Sequence, residues 1–197
     1  MIHQQKQAIV SASQRAYANK LFAGTSGNLS VRTPENTFLI TPSGVAYDTM
    51  QAQDIVRMDM QGNVLEGSLP PSSEWRLHAG IYLRCPAVKS VFHTHSPFAT
   101  AFAVVGKPIP QILVEMGVFL GGDVPCVPFE QPGTWALGEA AATAVAAGQH
   151  ACLLKSHGAL AVGNDVTQAY LRAEYLEEAA MIYHHALQIG EPKRYNG

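Results

Sequence analysis

Three histidines and one glutamate in this chain have the types and the spacing to hold a metal ion. His93-Thr94-His95 closes an apolar run, Val88-Lys89-Ser90-Val91-Phe92. In an extended strand, side chains at i and i+2 point to the same face, so both imidazoles can reach one ion. Glu74 lies nineteen residues before His93, and His157, in Ser156-His157-Gly158, lies sixty-two after His95. Three imidazoles and a carboxylate suit a tetrahedral Zn²⁺, and a displaceable carboxylate would leave the open position that catalysis needs. The donor types favour zinc without excluding Mn²⁺, Co²⁺ or Fe²⁺.

The remaining histidines carry less. His78 follows Glu74 by four on the same helix face and reads as a helix residue satisfied by a neighbour. His3, His150, His184 and His185 read as surface or packing residues. Glu74 also fits simple helix capping, since a carboxylate in the first turn after Ser72-Ser73 complements the helix dipole. The same helix start could bind an anion. Gly24-Thr25-Ser26-Gly27-Asn28 offers glycines for positive φ, backbone amides and short polar side chains, which are the parts of an anion nest. Thr41-Pro42-Ser43-Gly44 is similar. With Ser72-Ser73 these make three small-polar sites able to surround a phosphate without a lysine or arginine.

These groups need elements to position them. Residues 3–22 carry apolar side chains near helical spacing, and 29–32, 38–41 and 55–59 read as strands, with Gln61-Gly62-Asn63 as a turn. A helix is expected from Ser72-Ser73 to Leu83, ended by Cys85-Pro86. The histidine strand comes next, and a short helix starts just after Pro97. Strands are expected at 124–127, 151–155 and 160–162, and helices at 135–147 and 166–189, the last closed by Gly190-Glu191-Pro192. Helices among many short strands predict a sheet covered on both faces. Connections too short for βαβ crossovers make that sheet mixed and largely antiparallel.

At 197 residues the chain is expected to form one domain, 1–197. A net charge of −2 gives no polybasic surface for nucleic acid or anionic lipid. No stretch is long and apolar enough to span a membrane, and residues 1–6 lack the apolar core of a signal peptide. Cys85, Cys126 and Cys152 show no close metal-ligand spacing and read as buried thiols in a reducing compartment, so a cytoplasmic location is expected.

Taken in order, Gly24-Thr25-Ser26-Gly27-Asn28-Leu29-Ser30, Thr41-Pro42-Ser43-Gly44, Pro71-Ser72-Ser73-Glu74-Trp75-Arg76-Leu77-His78, His93-Thr94-His95 and His157-Gly158 resemble the class II aldolase/adducin family, in its L-fuculose-phosphate aldolase branch. The resemblance covers nearly the whole chain. It implies a three-layer α/β/α sandwich around a mixed, mostly antiparallel sheet, and a cyclic homotetramer with active sites at subunit boundaries. It places one zinc per subunit on His93, His95 and His157, with Glu74 as a ligand that substrate displaces. It sets a substrate phosphate against Thr25, Gly27, Asn28, Ser43, Gly44, Ser72 and Ser73. The implied reaction cleaves a phosphorylated ketose to dihydroxyacetone phosphate and an aldehyde. The enediolate left by that cleavage carries charge that a Lewis acid offsets, and Glu74 would move a proton to or from its carbon.

The pattern departs in two places. The aldolase branch has a tyrosine, lent across the subunit boundary, where this chain has Val114. It also has another tyrosine in a C-terminal tail, and Tyr195 is the tyrosine nearest the end here. Beside Val114, Glu115-Met116 is similar to the methylthioribulose-phosphate dehydratase branch, where the glutamate is an acid/base for water elimination. Glu115 is therefore a second candidate catalytic residue, or else a loop carboxylate paired with an arginine. The alternatives to aldol cleavage are dehydration or decarboxylation of a sugar phosphate on the same site, and a non-catalytic scaffold like the adducin head domain.

Overall fold

The computed structural model describes residues 2–195. Along it run α1 (Ile2–Ala18), β1 (Asn28–Thr33), β2 (Thr37–Ile40), β3 (Val56–Asp59), β4 (Val64–Glu66), α2 (Trp75–Arg84) and β5 (Ser90–Thr94). Then come α3 (Pro97–Val105), β6 (Cys126–Val127), α4 (Trp135–Ala146), β7 (Ala151–Leu154), β8 (Gly158–Gly163) and α5 (Val166–Ile189). The eight strands form one sheet in the order β4-β3-β2-β1-β5-β8-β7-β6, antiparallel throughout except for β6 beside β7. This is the mixed, mostly antiparallel sheet expected from the short connections.

Local chemistry sets most element ends. Asp59 Oδ1 accepts from the amides of Gln61 and Asn63 and closes the β3–β4 turn. Thr134 caps α4 by accepting from the Leu137 amide, and Asp165 caps α5 by accepting from the Gln168 amide at 2.7 Å. Pro97 opens α3 and Gly106, in the left-handed region, ends it. The free amides of Phe98 and Ala99 at the start of α3 both donate to the Glu177 carboxylate on α5, at 2.8 Å each.

Strand alternation sorts the core into two layers. Leu29, Val31, Leu39, Phe92, Leu153 and Ala161 face α1, α3 and α5. Phe38, Ile40, Met58, Val91, Leu154 and Leu160 face α2 and α4. Because β5 is buried on both faces, its residues form a continuous buried run rather than an alternating one.

Three expected boundaries move. The helix expected from Ser72-Ser73 begins at Trp75, because the Ser72 amide donates to Thr41 O and keeps the preceding prolines extended. The first helix, expected to residue 22, ends at Ala18, where the chain turns so that the amides of Leu21 and Phe22 both donate to Ala16 O. The strand expected at 124–127 is paired in β6 only at Cys126–Val127, since Val124 instead bridges Ile109. Of the three thiols, Cys152 is fully buried while Cys85 and Cys126 are half-buried. No helix among the described residues is long and apolar enough to cross a membrane.

Candidate active site

Strand direction gathers the candidate residues at one edge of the sheet. β1 is antiparallel to both β2 and β5, and β5 is antiparallel to β8. The start of β1 therefore lies beside the ends of β2 and β5 and the start of β8. Asn28 pairs with His93, the Leu29 amide donates to Thr41 Oγ1, and Thr94 pairs with Ala159, just beyond His157. The Ser43 amide donates to Pro70 O, which sets the Thr41–Gly44 turn against the segment leading to Ser72 and Ser73. The loops that hold Thr25, Gly27, Asn28, Ser43, Gly44, Ser72 and Ser73 thus converge on the histidine edge.

His93, His95 and His157 form one cluster, with ring centroids 4.7–5.1 Å apart and one nitrogen of each within 4.8 Å of the others. His93 is fully buried, and its Nδ1 lies 2.9 Å from Ala159 O. The proton must sit on that nitrogen, because a carbonyl only accepts. His93 Nε2 is then left as a lone pair, 3.0 Å from His95 Nε2. His157 is presented by a tight turn in which Ser156 has φ of 57° and the His157 amide donates to Leu154 O. Gly158 makes the close approach possible: a Cβ there would strike the Thr94 carbonyl and stand 3.2 Å from the rings of both His93 and His95. Gly27 has a similar role beside Asn28, where a Cβ would run into the Phe22 ring.

Glu74 is buried at the N-terminus of α2, with Oε2 3.8 Å from His157 Nε2. It stands at the N-cap of α2, where the helix dipole favours a carboxylate, but makes no side-chain cap hydrogen bond. Among the described residues its Oε2 has no hydrogen-bond partner, and neither does His157 Nδ1. Burial, partly opposed by a backbone hydrogen bond from Gly133, raises the Glu74 pKa. Burial and the neighbouring His95 push His157 down to about 4. The two groups are therefore no ion pair at neutral pH, where the imidazole is uncharged. Burial also lowers His95, and it takes His93 well below the usual range, with the charges of His95 and His157 adding to the effect.

Three neutral imidazoles with converging lone pairs, beside a buried carboxylate oxygen lacking a partner, fit a divalent transition-metal cation. A cation would satisfy the Glu74 oxygen that the fold leaves unsatisfied. The three histidines meet without the glutamate's help, and Glu74 stands beside His157.

Other candidates fall elsewhere. His78 is fully buried against Asn28 and Ser30, as a satisfied helix residue. His150 Nδ1 bonds Phe119 O, and His184 and His185 pack on Phe98. Glu115 is exposed at the start of a π-helical turn, Met116–Leu120, in a groove with Tyr175 and Glu178, and it pairs with no arginine among the described residues. Val114 beside it is also exposed. The Tyr195 amide donates to Gln111 O at 2.8 Å, and Arg194 grips Asp123 at 2.6 and 2.8 Å, so the tail is tied to the segment leading to Val114. Sequence reasoning missed the loop around Gly133, which packs on Ser73 and takes a hydrogen bond from Arg76 at its carbonyl. Nothing local marks it, because the contact crosses 57 positions.

A family model, Class II Aldolase and Adducin N-terminal domain, matches residues 7–184. A 5-methylthioribulose-1-phosphate/5-deoxyribulose-1-phosphate aldolase from Rhodospirillum rubrum is 38% identical over 95% of this chain and 84% of its own length. A 5-deoxy-D-ribulose 1-phosphate aldolase from Bacillus thuringiensis is 34% identical over 98% of this chain and 90% of its own. A solved L-fuculose 1-phosphate aldolase superposes with a TM-score of 0.92 at 35% identity, over 98% of this chain and 90% of that one. The chain belongs to the class II aldolase and adducin family. It is an enzyme of the class II aldolase type, a carbon–carbon lyase.

Proposed function

We propose that this enzyme is a zinc-dependent aldolase that cleaves a 1-phosphorylated ketose, similar to L-fuculose 1-phosphate, to dihydroxyacetone phosphate and an aldehyde. The observation that carries the reading is the unpartnered Glu74 Oε2 facing a cluster of three neutral histidines. The relatives named for 5-deoxyribulose 1-phosphate support a short deoxy-ketose phosphate within that class.

His93, His95 and His157 would hold the cation, with Glu74 as its exchangeable fourth ligand. A cation there supplies Lewis acidity against the negative charge that develops when a bond beside a carbonyl breaks. Glu74, buried and with its pKa raised, is suited to carry a proton to the carbon that becomes the hydroxymethyl end of dihydroxyacetone phosphate. Thr25, Gly27, Asn28, Ser43, Gly44, Ser72 and Ser73 would hold the phosphate through amides and short side chains, fixing the reacting end. The residues lie within one domain, 1–197, and we place the protein in the cytoplasm as a homotetramer. Exposed Val104, Val105, Val114 and Val118 support a buried subunit contact along α3 and the segment after it. In that arrangement Glu115 stands near a neighbouring subunit's site, where the second reading would use it.

A second reading keeps the site but changes the reaction to dehydration or decarboxylation. Glu115 favours it, being exposed and free of any ion pair among the described residues. A mass-spectrometric screen separates the two. Zinc-loaded and metal-free protein would be offered L-fuculose 1-phosphate, 5-deoxyribulose 1-phosphate, methylthioribulose 1-phosphate and a phosphorylated 3-oxo acid. Metal-dependent release of dihydroxyacetone phosphate is expected. Loss of water or carbon dioxide without triose phosphate would replace the aldolase reading with the second one.

A further inference from the structure

Behind Asn28 lies a chain of buried polar groups that the cation site does not use. His78 Nε2 stands 2.5 Å from Asn28 Oδ1, and His78 Nδ1 stands 2.6 Å from Ser30 Oγ. Ser30 Oγ is in turn 2.6 Å from Tyr82 Oη. Ser30, His78 and Tyr82 are fully buried, and Asn28 nearly so. Two features give the chain a direction.

The first is proton counting. A neutral imidazole carries one N–H, and burial holds His78 neutral by lowering its pKa to about 3. If that proton were on Nδ1, it would donate to Ser30, the Ser30 hydroxyl would donate to Tyr82, and the buried Tyr82 hydroxyl would have no acceptor among the described hydrogen bonds. With the proton on Nε2, Tyr82 donates to Ser30, Ser30 donates to His78 Nδ1, and His78 donates to Asn28 Oδ1. Every hydroxyl then has an acceptor, and a buried donor without one costs about 1–3 kcal/mol. The second is place. Asn28 opens β1 immediately after the Gly24–Gly27 loop, and the side-chain hydrogen bond it makes runs through Oδ1 to His78.

We propose that His78, backed by Ser30 and Tyr82, is a positioning residue that locks the Asn28 carboxamide with its NH₂ toward the anion-binding loops. The locked amide presents donors only, so it selects an acceptor-only group such as a phosphate and rejects a ligand that needs an acceptor there. The phosphate part rests on the proposed function, while the direction of the chain does not.

Two measurements on the zinc-loaded protein test it. Nitrogen-15 NMR of the histidine rings, with the His78 signals assigned by their loss in His78→Gln, is expected to show the proton on Nε2. A proton on Nδ1 would mean a reversed chain and an Asn28 carbonyl facing the loops, which overturns the proposal whatever the reaction is. Binding of dihydroxyacetone phosphate and of inorganic phosphate is then compared across variants. His78→Leu is expected to weaken both about tenfold, His78→Gln to recover most of the loss, and zinc content to stay at one per chain. In an Asn28→Ala background, His78→Leu should add nothing further. An equal loss in that background would show a general structural effect and refute positioning through Asn28. Should His78→Leu not fold, Ser30→Ala removes the Nδ1 anchor with less change of volume and carries the same comparison. If the wild-type protein binds neither ligand, the phosphate assignment falls, and the tautomer alone decides the direction of the chain.

Discussion

Glu74 Oε2 and His157 Nε2 face each other at 3.8 Å, and the oxygen has no hydrogen-bond partner among the described residues although the side chain is buried. A buried carboxylate left like this is costly unless something else binds it. Its function should therefore be separable from metal retention. Glu74→Gln keeps the three histidines and most of the shape, so zinc content is expected to persist while turnover falls by about 10²–10⁴, the usual worth of an acid/base group. Metal analysis beside a dihydroxyacetone phosphate assay checks both halves. A fully active Glu74→Gln protein would end the proton-transfer role.

Removing the cation should cost stability as well as activity. Stripping with a chelator is expected to abolish turnover, and zinc should restore it. At a free zinc concentration of about 100 Kd, the folded state gains about 2.7 kcal/mol, visible as a higher Tm. His157→Ala should lose most of that gain, because it removes one of three converging nitrogens.

Gly158 should not tolerate a methyl group. Gly158→Ala would drive a Cβ into the Thr94 carbonyl and against the His93 and His95 rings, so both Tm and zinc content are expected to drop. Gly190 has open space around its Cα, and Gly190→Ala is expected to stay within about 0.5 kcal/mol of the parent. Equal behaviour of the two variants would show that the close approach at Gly158 has no consequence for the site.

Glu115 separates the reactions. Dehydration with Glu115 as acid/base requires that Glu115→Gln kill turnover with zinc content unchanged. Dihydroxyacetone phosphate release that survives the substitution would assign aldol chemistry and exclude the dehydratase form. The tail gives a companion test. Arg194→Ala removes the tail's grip on Asp123 and leaves only the backbone bond from Tyr195 to Gln111 O, so a change in kcat without a change in zinc content would place the tail at the site.

Stability should fall in mild acid. The folded state holds His78 neutral down to about pH 3, whereas the unfolded chain protonates it near 6.5. Between those values the unfolded state binds more protons. The stability contribution is thus fully present above about pH 6.5 and is lost as pH falls, at up to about 1.4 kcal/mol per pH unit. Denaturation midpoints measured from pH 7 to 4 should show this slope, reduced in His78→Gln. An unchanged slope in that variant would assign the acid sensitivity to other groups.

The helices were legible where their signals are local. The alanine-rich run read at 135–147 and the long helix read at 166–189, closed by Gly190-Glu191-Pro192, are the observed Trp135–Ala146 and Val166–Ile189, and the structure adds Thr134 and Asp165 as their caps. The start of α2 was not, because the Ser72 amide is claimed by Thr41 O, a partner on another element. The cation-site residues were legible as types, since His-x-His on a strand needs no partner to be noticed.

By itself, then, the sequence determined which groups could bind a cation and an anion, and that its short connections build a largely antiparallel sheet. Only the tertiary structure decided that His157 joins His93 and His95, that Glu74 is left without a partner, and that His78 serves Asn28 rather than the cation. Residue type and i+2 spacing are properties of a few neighbouring positions. The meeting of β1, β2, β5 and β8 at one edge depends on strand order and direction, which pairings across the whole chain impose.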